Sequence, residues 1–305
     1  MLLGFDQAVV RWCTSALGSA PVRELFRQSH LSDVLGLELG DGRRIVLKVR
    51  AGSPRLDAAT AVQRHLHRQG FPCPDVLAGP HPLGDRLATA EEYIAPHGPP
   101  PDPPPPEPVA QLLAELVQAS PPPETAAALS PAPPWVGWDH PSQELWPWPD
   151  DLDIDMNHHS GPDWVDDTAN RVRHRMRRDT HPPVIGHVDW EAHNLDWDGD
   201  APVIVHDWDS LAIRTEAAIA GAAAAVYPTN GVTAVAATID QTAAFLDAYR
   251  QVRTAHWSTD SDEIAWSAGL WVLAYNAKKE SLGGGKGYLH HLREELARRR
   301  SYAGL

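Results

Sequence analysis

The chain has 305 residues, 22% charged and 43% hydrophobic, which is enough ordinary globular sequence for one two-lobed enzyme or two small domains. Its formal net charge of −14 argues against nucleic acid and anionic membrane surfaces as partners; it suits a cationic ligand, or simply an acidic soluble surface. Two cysteines, Cys13 and Cys73, make no disulfide framework, the first apolar run lacks a basic lead and is broken by Asp6, and no stretch nears the ~18 apolar residues of a membrane span, so a cytoplasmic protein, monomer or homodimer, is expected.

In chain order, residues 5–17 have helical spacing, with Phe5, Val9, Trp12, Cys13 and Ala16 on one face. Strand-like runs follow at 22–28, 34–39 and 44–50, the last two joined by the hairpin signal Asp41-Gly42. Residues 55–69 read as a helix stopped by Gly70, with Pro72 and Pro74 beyond it, and 86–94 as a further strand. These elements predict an α+β first domain over residues 1–95.

Residues 96–108 hold nine prolines in thirteen positions, which predicts a stiff polyproline spacer near a domain boundary; no basic residue flanks it to suggest a recognition ligand. A short helix is expected at 109–119. Residues 120–165 form a long insertion rich in Pro, Trp and Asp; its five tryptophans (135, 138, 146, 148 and 164) argue for ordered packing. Helices are expected at 166–178, 216–227, 232–254, 262–279 and 287–300, with Gly283-Gly284-Gly285 breaking the pattern before the last.

Between them lies His187-Val-Asp-Trp-Glu-Ala-His-Asn194, followed by the turn Asp198-Gly199-Asp200 and the apolar strand Ala201 to His206 that ends in Asp207-Trp208-Asp209. Phosphoryl transfer needs positioning and charge neutralisation. Asp189 is placed to accept the proton of a substrate hydroxyl, and Asn194 and Asp207 offer the hard oxygen ligands that Mg²⁺ prefers. His187 is expected to orient the loop through a backbone contact. A metal hydrolase built on His187, Asp189, His193, His206 and Asp207 is a rival reading, but the spacings fit no common zinc pattern.

This hairpin resembles the catalytic core of the aminoglycoside phosphotransferase family, which includes choline kinase-like small-molecule kinases and shows His-Gly-Asp, an Asn five residues later, then Ile-Asp-Phe/Trp. Close agreement spans about 25 residues, and Glu191 stands where protein kinases carry Lys. The resemblance implies a bilobal protein-kinase-like fold, with a small β-rich nucleotide-covering lobe (1–95) and a larger mainly helical lobe (96–305) carrying the catalytic loop and a substrate-binding insertion at about 120–165. It implies ATP or GTP as donor with Mg²⁺, and Lys48 on the α/β-phosphates. The turn around Ser29 and Ser32 would cover the nucleotide without a Gly-x-Gly pattern, and the backbone at Glu92-Tyr93 would read adenine. The usual helix Glu that pairs with the Lys is missing: its slot falls near Ala59, and Asp57 is the nearest acid.

For the acceptor, Asp150, Asp151 and Asp153 cluster near Trp146, carboxylates beside aromatic faces that suit an aminated sugar, and Asp209 is a further candidate contact. The expected function is an ATP/Mg²⁺-dependent transferase acting on a small-molecule hydroxyl, with aminoglycosides, other antibiotics and amino sugars as candidate acceptors. The alternative is a nucleotide-binding pseudokinase or scaffold, motivated by the missing helix Glu and Gly-rich loop.

Overall fold

The protein is described by a computed structural model at residues 6–29, 32–231, 235–254, 257–283 and 287–305. It is an α+β chain of two compact units, Met1–Pro96 and His97–Leu305.

The first unit is a five-stranded antiparallel sheet. Its strands are β1 (Pro21–Ser29), β2 (Asp33–Leu39), β3 (Arg44–Arg50), β4 (Val76–Leu83) and β5 (Arg86–Glu92), in the order β1-β2-β3-β5-β4. Alternation decides the faces. Leu35, Leu37 and Leu39 on β2, Ile45, Leu47 and Val49 on β3, and Ala88 and Ala90 on β5 bury on one face. Helix α1 (Gln7–Leu17) brings Val9, Trp12 and Cys13 to that core. Asp6 caps α1 at its start and Gly18, at φ 76°, ends it. Phe5, expected on this helix, lies outside the described residues. Helix α2 (Pro54–Arg68) is capped by Ser53 and carries the buried residues Leu56, Ala59, Thr60, Val62, Gln63 and Leu66. Strand β4 was missed from sequence because Gly79-Pro80 reads as a breaker; the register shifts there, so the sheet absorbs it as a bulge.

The second unit is mainly helical: α3 (Pro106–Ala119), α4 (Asp163–Met176), α5 (Glu216–Val226), α6 (Ile239–Arg253), α7 (Thr259–Ser281) and α8 (Tyr288–Tyr302). Two small antiparallel pairs complete it: β6 (Pro183–His187) with β9 (Leu211–Thr215), and the hairpin β7 (Leu195–Asp198) with β8 (Ala201–Val205). The β6·β9 pair was not anticipated. Helix α3 starts within the proline run, earlier than expected, because Pro106 and Pro108 fall in a first turn whose amides have no helical partner anyway. Helix α6 starts later than expected because Thr238 and Gln241 form a capping box there; residues 232–234 of the expected helix are outside the described set.

Helix α7 is buried almost all round and packs against α4, α5 and α8. Its crossing with the Ala-rich α5 is a backbone contact: a Cβ at Gly221 would lie 1.9 Å from the Ala265 carbonyl oxygen, and one at Gly269 2.8 Å from that of Gly221. Among the described residues, no helix is long and apolar enough to cross a membrane.

The insertion is ordered by tryptophans and by one arginine. Trp138 and Trp146 are buried against Trp271 of α7, with ring centroids 6.4 and 5.4 Å away. Arg173 of α4 donates to the carbonyls of Trp138, His140, Ser142 and Glu144, so one buried guanidinium organises the turn they form.

Candidate active site

Strand β6 ends at His187, which is fully buried between Trp190 and Trp208 (ring centroids 5.4 and 6.1 Å). Its Nε2 lies 3.1 Å from the His206 carbonyl and 3.0 Å from that of Asp207, and the Asp189 amide donates to its Nδ1 at 3.3 Å. That network requires the neutral ring with its proton on Nε2. Burial holds the imidazole below its usual pKa against the opposing pull of Asp207 and Asp189. His187 thus ties the loop of Asp189 to the segment of Asp207 through backbone atoms, as its place in the sequence suggested.

The loop then turns on itself. Glu191 N donates to Asp189 O and Asn194 N to Glu191 O, both at 2.9 Å, making a short 3₁₀ turn at Ala192–Asn194. Asn194 returns its side chain: Nδ2 donates to Asp189 O at 2.8 Å and to Asp189 Oδ2 at 2.9 Å. The Asn194 carbonyl accepts from His206 N at 2.9 Å, which fixes the loop to the end of β8. Asp207 follows at φ 57°, ψ 54°, a left-handed conformation that is uncommon for non-glycine residues and best tolerated by Asn and Asp. Its Oδ2 accepts from Ser210 Oγ at 2.9 Å. Asp189, Asn194, His187 and Asp207 are therefore brought together as the spacing predicted.

Sequence reasoning missed the tryptophans that hold this loop from behind. Trp135 donates to the Val188 carbonyl, Trp197 to Ala192, Trp208 to Val205 and Trp190 to Val109, all at 2.9–3.1 Å. A buried indole fills a large volume and needs one acceptor, so each bond fixes both packing and loop backbone.

Electrostatically the site is acidic. Burial lifts the Asp189 carboxyl to about 6; Asp207 and, more weakly, Asp150 act in the same direction, against His187 and the Asn194 hydrogen bond. Glu191 is pushed well above the usual carboxylate range, first by burial and then by Asp189, with Lys279 opposing. The histidines of the rival hydrolytic reading are engaged elsewhere: His206 with Asp196 at 3.3 Å and His193 with Glu191 at 3.3 Å. Among the described residues, no three His, Cys, Asp or Glu side chains gather into a metal cluster. An Asn-plus-Asp oxygen pair is a different donor set, one that fits a hard cation shared with phosphates and water.

The predicted acceptor residues fare unequally. Asp150 is exposed, and its charge reaches Asp189. Asp151 is ion-paired to Lys279 at 2.5 Å, and Asp153 is exposed on the insertion. Asp209 is partly buried in the turn Trp208–Ser210 beside Asp207. Trp146 requires correction: it is 2% exposed, and its indole donates to Asp166, which also receives the buried Lys278 ammonium at 3.0 Å. That ring is interior packing and has no free face for a sugar.

In the first unit, Lys48 stands on β3 with its Nζ 2.8 Å from Glu91 Oε2. Asp57, the acid nearest the slot of the missing helix Glu, is exposed at the start of α2; the partner of Lys48 comes from β5 instead. Ser29 donates to Asp33 Oδ1 at 2.6 Å and Ser32 is partly buried in the β1–β2 turn, whose residues 30–31 lie outside the described set. The Glu92 and Tyr93 amides already donate to Asp75 O at 2.8 Å and Arg44 O at 3.2 Å, so neither amide is free to donate to a purine.

No protein-family model matches the sequence, and no curated protein matches it. Solved structures do match in fold. An amicoumacin kinase solved in complex with AMP-PNP, Ca²⁺ and Ami superposes with a TM-score of 0.65 at 9% identity, covering 99% of this chain and 94% of that one. A putative aminoglycoside phosphotransferase from Ralstonia eutropha gives 0.59 at 12%, covering 99% of both chains. A spectinomycin phosphotransferase solved with ADP and spectinomycin gives 0.58 at 11%, covering 99% and 94%. Along its whole length, the chain carries the kinase-like fold of the aminoglycoside phosphotransferases and related small-molecule kinases.

Proposed function

We propose that this chain is an ATP- and Mg²⁺-dependent kinase that phosphorylates a hydroxyl group of a small molecule carrying a cationic group. The observation that carries the reading is the Asp189–Asn194 hydrogen bond joined through His187 to Asp207: a proton acceptor and two oxygen ligands on one pinned loop. Asp189 orients the acceptor hydroxyl and takes its proton as the oxygen bonds to the γ-phosphorus; the bond from that phosphorus to the bridging oxygen breaks and ADP leaves. With the Asn194 amide nitrogen turned to Asp189, its oxygen is left for a cation together with Asp207. Mg²⁺ held there would neutralise charge on the phosphates. Lys48 is the α/β-phosphate contact, with Ser29 and Ser32 in the nucleotide-covering turn.

Asp150 supports a cationic acceptor: it is exposed and its charge reaches Asp189, and Glu191 stands two residues on, where protein kinases hold a positive side chain. The fold neighbours include kinases of spectinomycin and amicoumacin, which favours antibiotic-like acceptors. The scaffold alternative loses one of its two motives, because Lys48 does have a carboxylate partner.

The test is ADP release with ATP and with GTP against amino sugars, aminoglycosides, nucleosides and neutral polyols. Turnover on aminated acceptors is expected. No turnover on any acceptor would refute the kinase reading, and turnover confined to anionic acceptors would refute the substrate class.

A further inference from the structure

In kinase folds the strand lysine that contacts the α/β-phosphates is oriented by a carboxylate on the neighbouring helix, and that pair is broken and remade as the helix moves. This chain has no such helix carboxylate. Asp57 is the sole acid in α2 and is exposed; the buried positions of that helix are Leu56, Ala59, Thr60, Val62, Gln63 and Leu66.

The sheet supplies one instead. Strands β3 and β5 are antiparallel neighbours, with Lys48 opposite Thr89 and Val46 opposite Glu91. Ile45, Leu47 and Val49 point to the α1 core, as do Ala88 and Ala90, so Lys48, Thr89 and Glu91 share the other face. Lys48 and Glu91 are diagonal cross-strand neighbours, a separation of about 7–8 Å that two long side chains span. They meet at 2.8 Å with side chains only 13% and 6% exposed, beside Thr89 at 3%. The Cys73 thiol, pushed up to about 12 by burial and by the Glu91 charge, stays neutral there and does not compete for the ammonium.

Resting on the kinase reading above, we propose that Glu91 is the positioning residue for Lys48, holding the phosphate-binding ammonium from within the sheet. Both partners belong to hydrogen-bonded strands, so the pair does not depend on where α2 lies. The lysine is set before nucleotide arrives, and movement of α2 is no on–off switch for it.

The experiment measures dissociation constants of ADP and adenosine for the full chain and for E91Q, E91D, D57N and K48M. E91Q is expected to weaken ADP about 10-fold, about 1.4 kcal/mol, and leave adenosine unchanged, since only ADP carries the phosphates Lys48 serves. E91D, which keeps the charge on a shorter arm, should recover part of the loss, and D57N should match wild type. E91Q in the K48M background should cost ADP nothing further. If E91Q does not fold, E91D alone decides: ADP weakened with adenosine intact supports the role. Equal loss of ADP and adenosine, ADP binding unaltered in both Glu91 variants, or additive losses with K48M would overturn it. Failure of the wild-type chain to bind ADP would instead overturn the kinase reading itself.

Discussion

Replacing His187 by Ala probes the site at the point where its two halves are joined. The imidazole is fully buried, serves three backbone groups and fills the space between Trp190 and Trp208. Losing partners for the Asp189 amide and the two carbonyls costs about 2–3 kcal/mol together, allowing water to reach some of them. The ring-sized cavity adds about 2–3 kcal/mol. The sum, about 4–6 kcal/mol, is a large part of the ~5–15 kcal/mol that holds a domain folded. Asp207 also loses the contact that helps keep it left-handed, a conformation costing about 1–2 kcal/mol, so its carboxylate is expected to relax away from Asn194. Urea unfolding should show a drop of about 4 kcal/mol or more, and the folded fraction should turn over at least ~100-fold more slowly, because small misplacements of reacting groups are that costly. His187→Gln, which keeps a side-chain donor, should recover part of the stability. A His187→Ala protein within about 1 kcal/mol of wild type and fully active would refute this account of the loop.

Three further outcomes follow from the same structure. Gly221→Val should abolish folding of the second unit or cost more than about 4 kcal/mol, read by circular dichroism and urea unfolding, since its Cβ has no room beside Ala265. Lys278→Ala should lower stability by about 1–3 kcal/mol, because it removes the ammonium shared by Asp166 and the His159 carbonyl and loosens the insertion from α7, which increased proteolysis within 140–160 would report. The competent form of Asp189 is ionised; its carboxyl is lifted to about 6, so turnover should fall as pH drops through that value. A cation held by Asn194 and Asp207 favours the ionised form, so saturating Mg²⁺ should move the fall to lower pH. An acid limb insensitive to Mg²⁺ would contradict the ligand assignment.

What the sequence reveals is local. Asp189, Asn194 and Asp207 are legible because a tight loop and a hairpin fix their spacing over about twenty residues, and β1 to β3 because alternation marks them. What it hides is carried by contacts between distant segments. Trp135 reaches Val188 across 53 positions, and its indole looks no different in sequence from that of exposed Trp148. Lys48 finds Glu91 rather than Asp57 because strand order β3-β5 makes neighbours of segments that helix α2 and strand β4 separate in sequence. Trp146 reads as a sugar platform until its burial against α7 is seen. The strand expected to run to 94 ends at Glu92, and the amides of Glu92 and Tyr93 are already used by Asp75 and Arg44.

The central claim is that Asp189 accepts the proton of the acceptor hydroxyl while the nucleotide is held elsewhere. Asp189→Asn keeps the size of the side chain and removes its basicity. With an acceptor identified by ADP release, this variant should lose phosphoryl transfer by at least ~100-fold while binding ADP as wild type does. Transfer at the wild-type rate in Asp189→Asn would contradict the account.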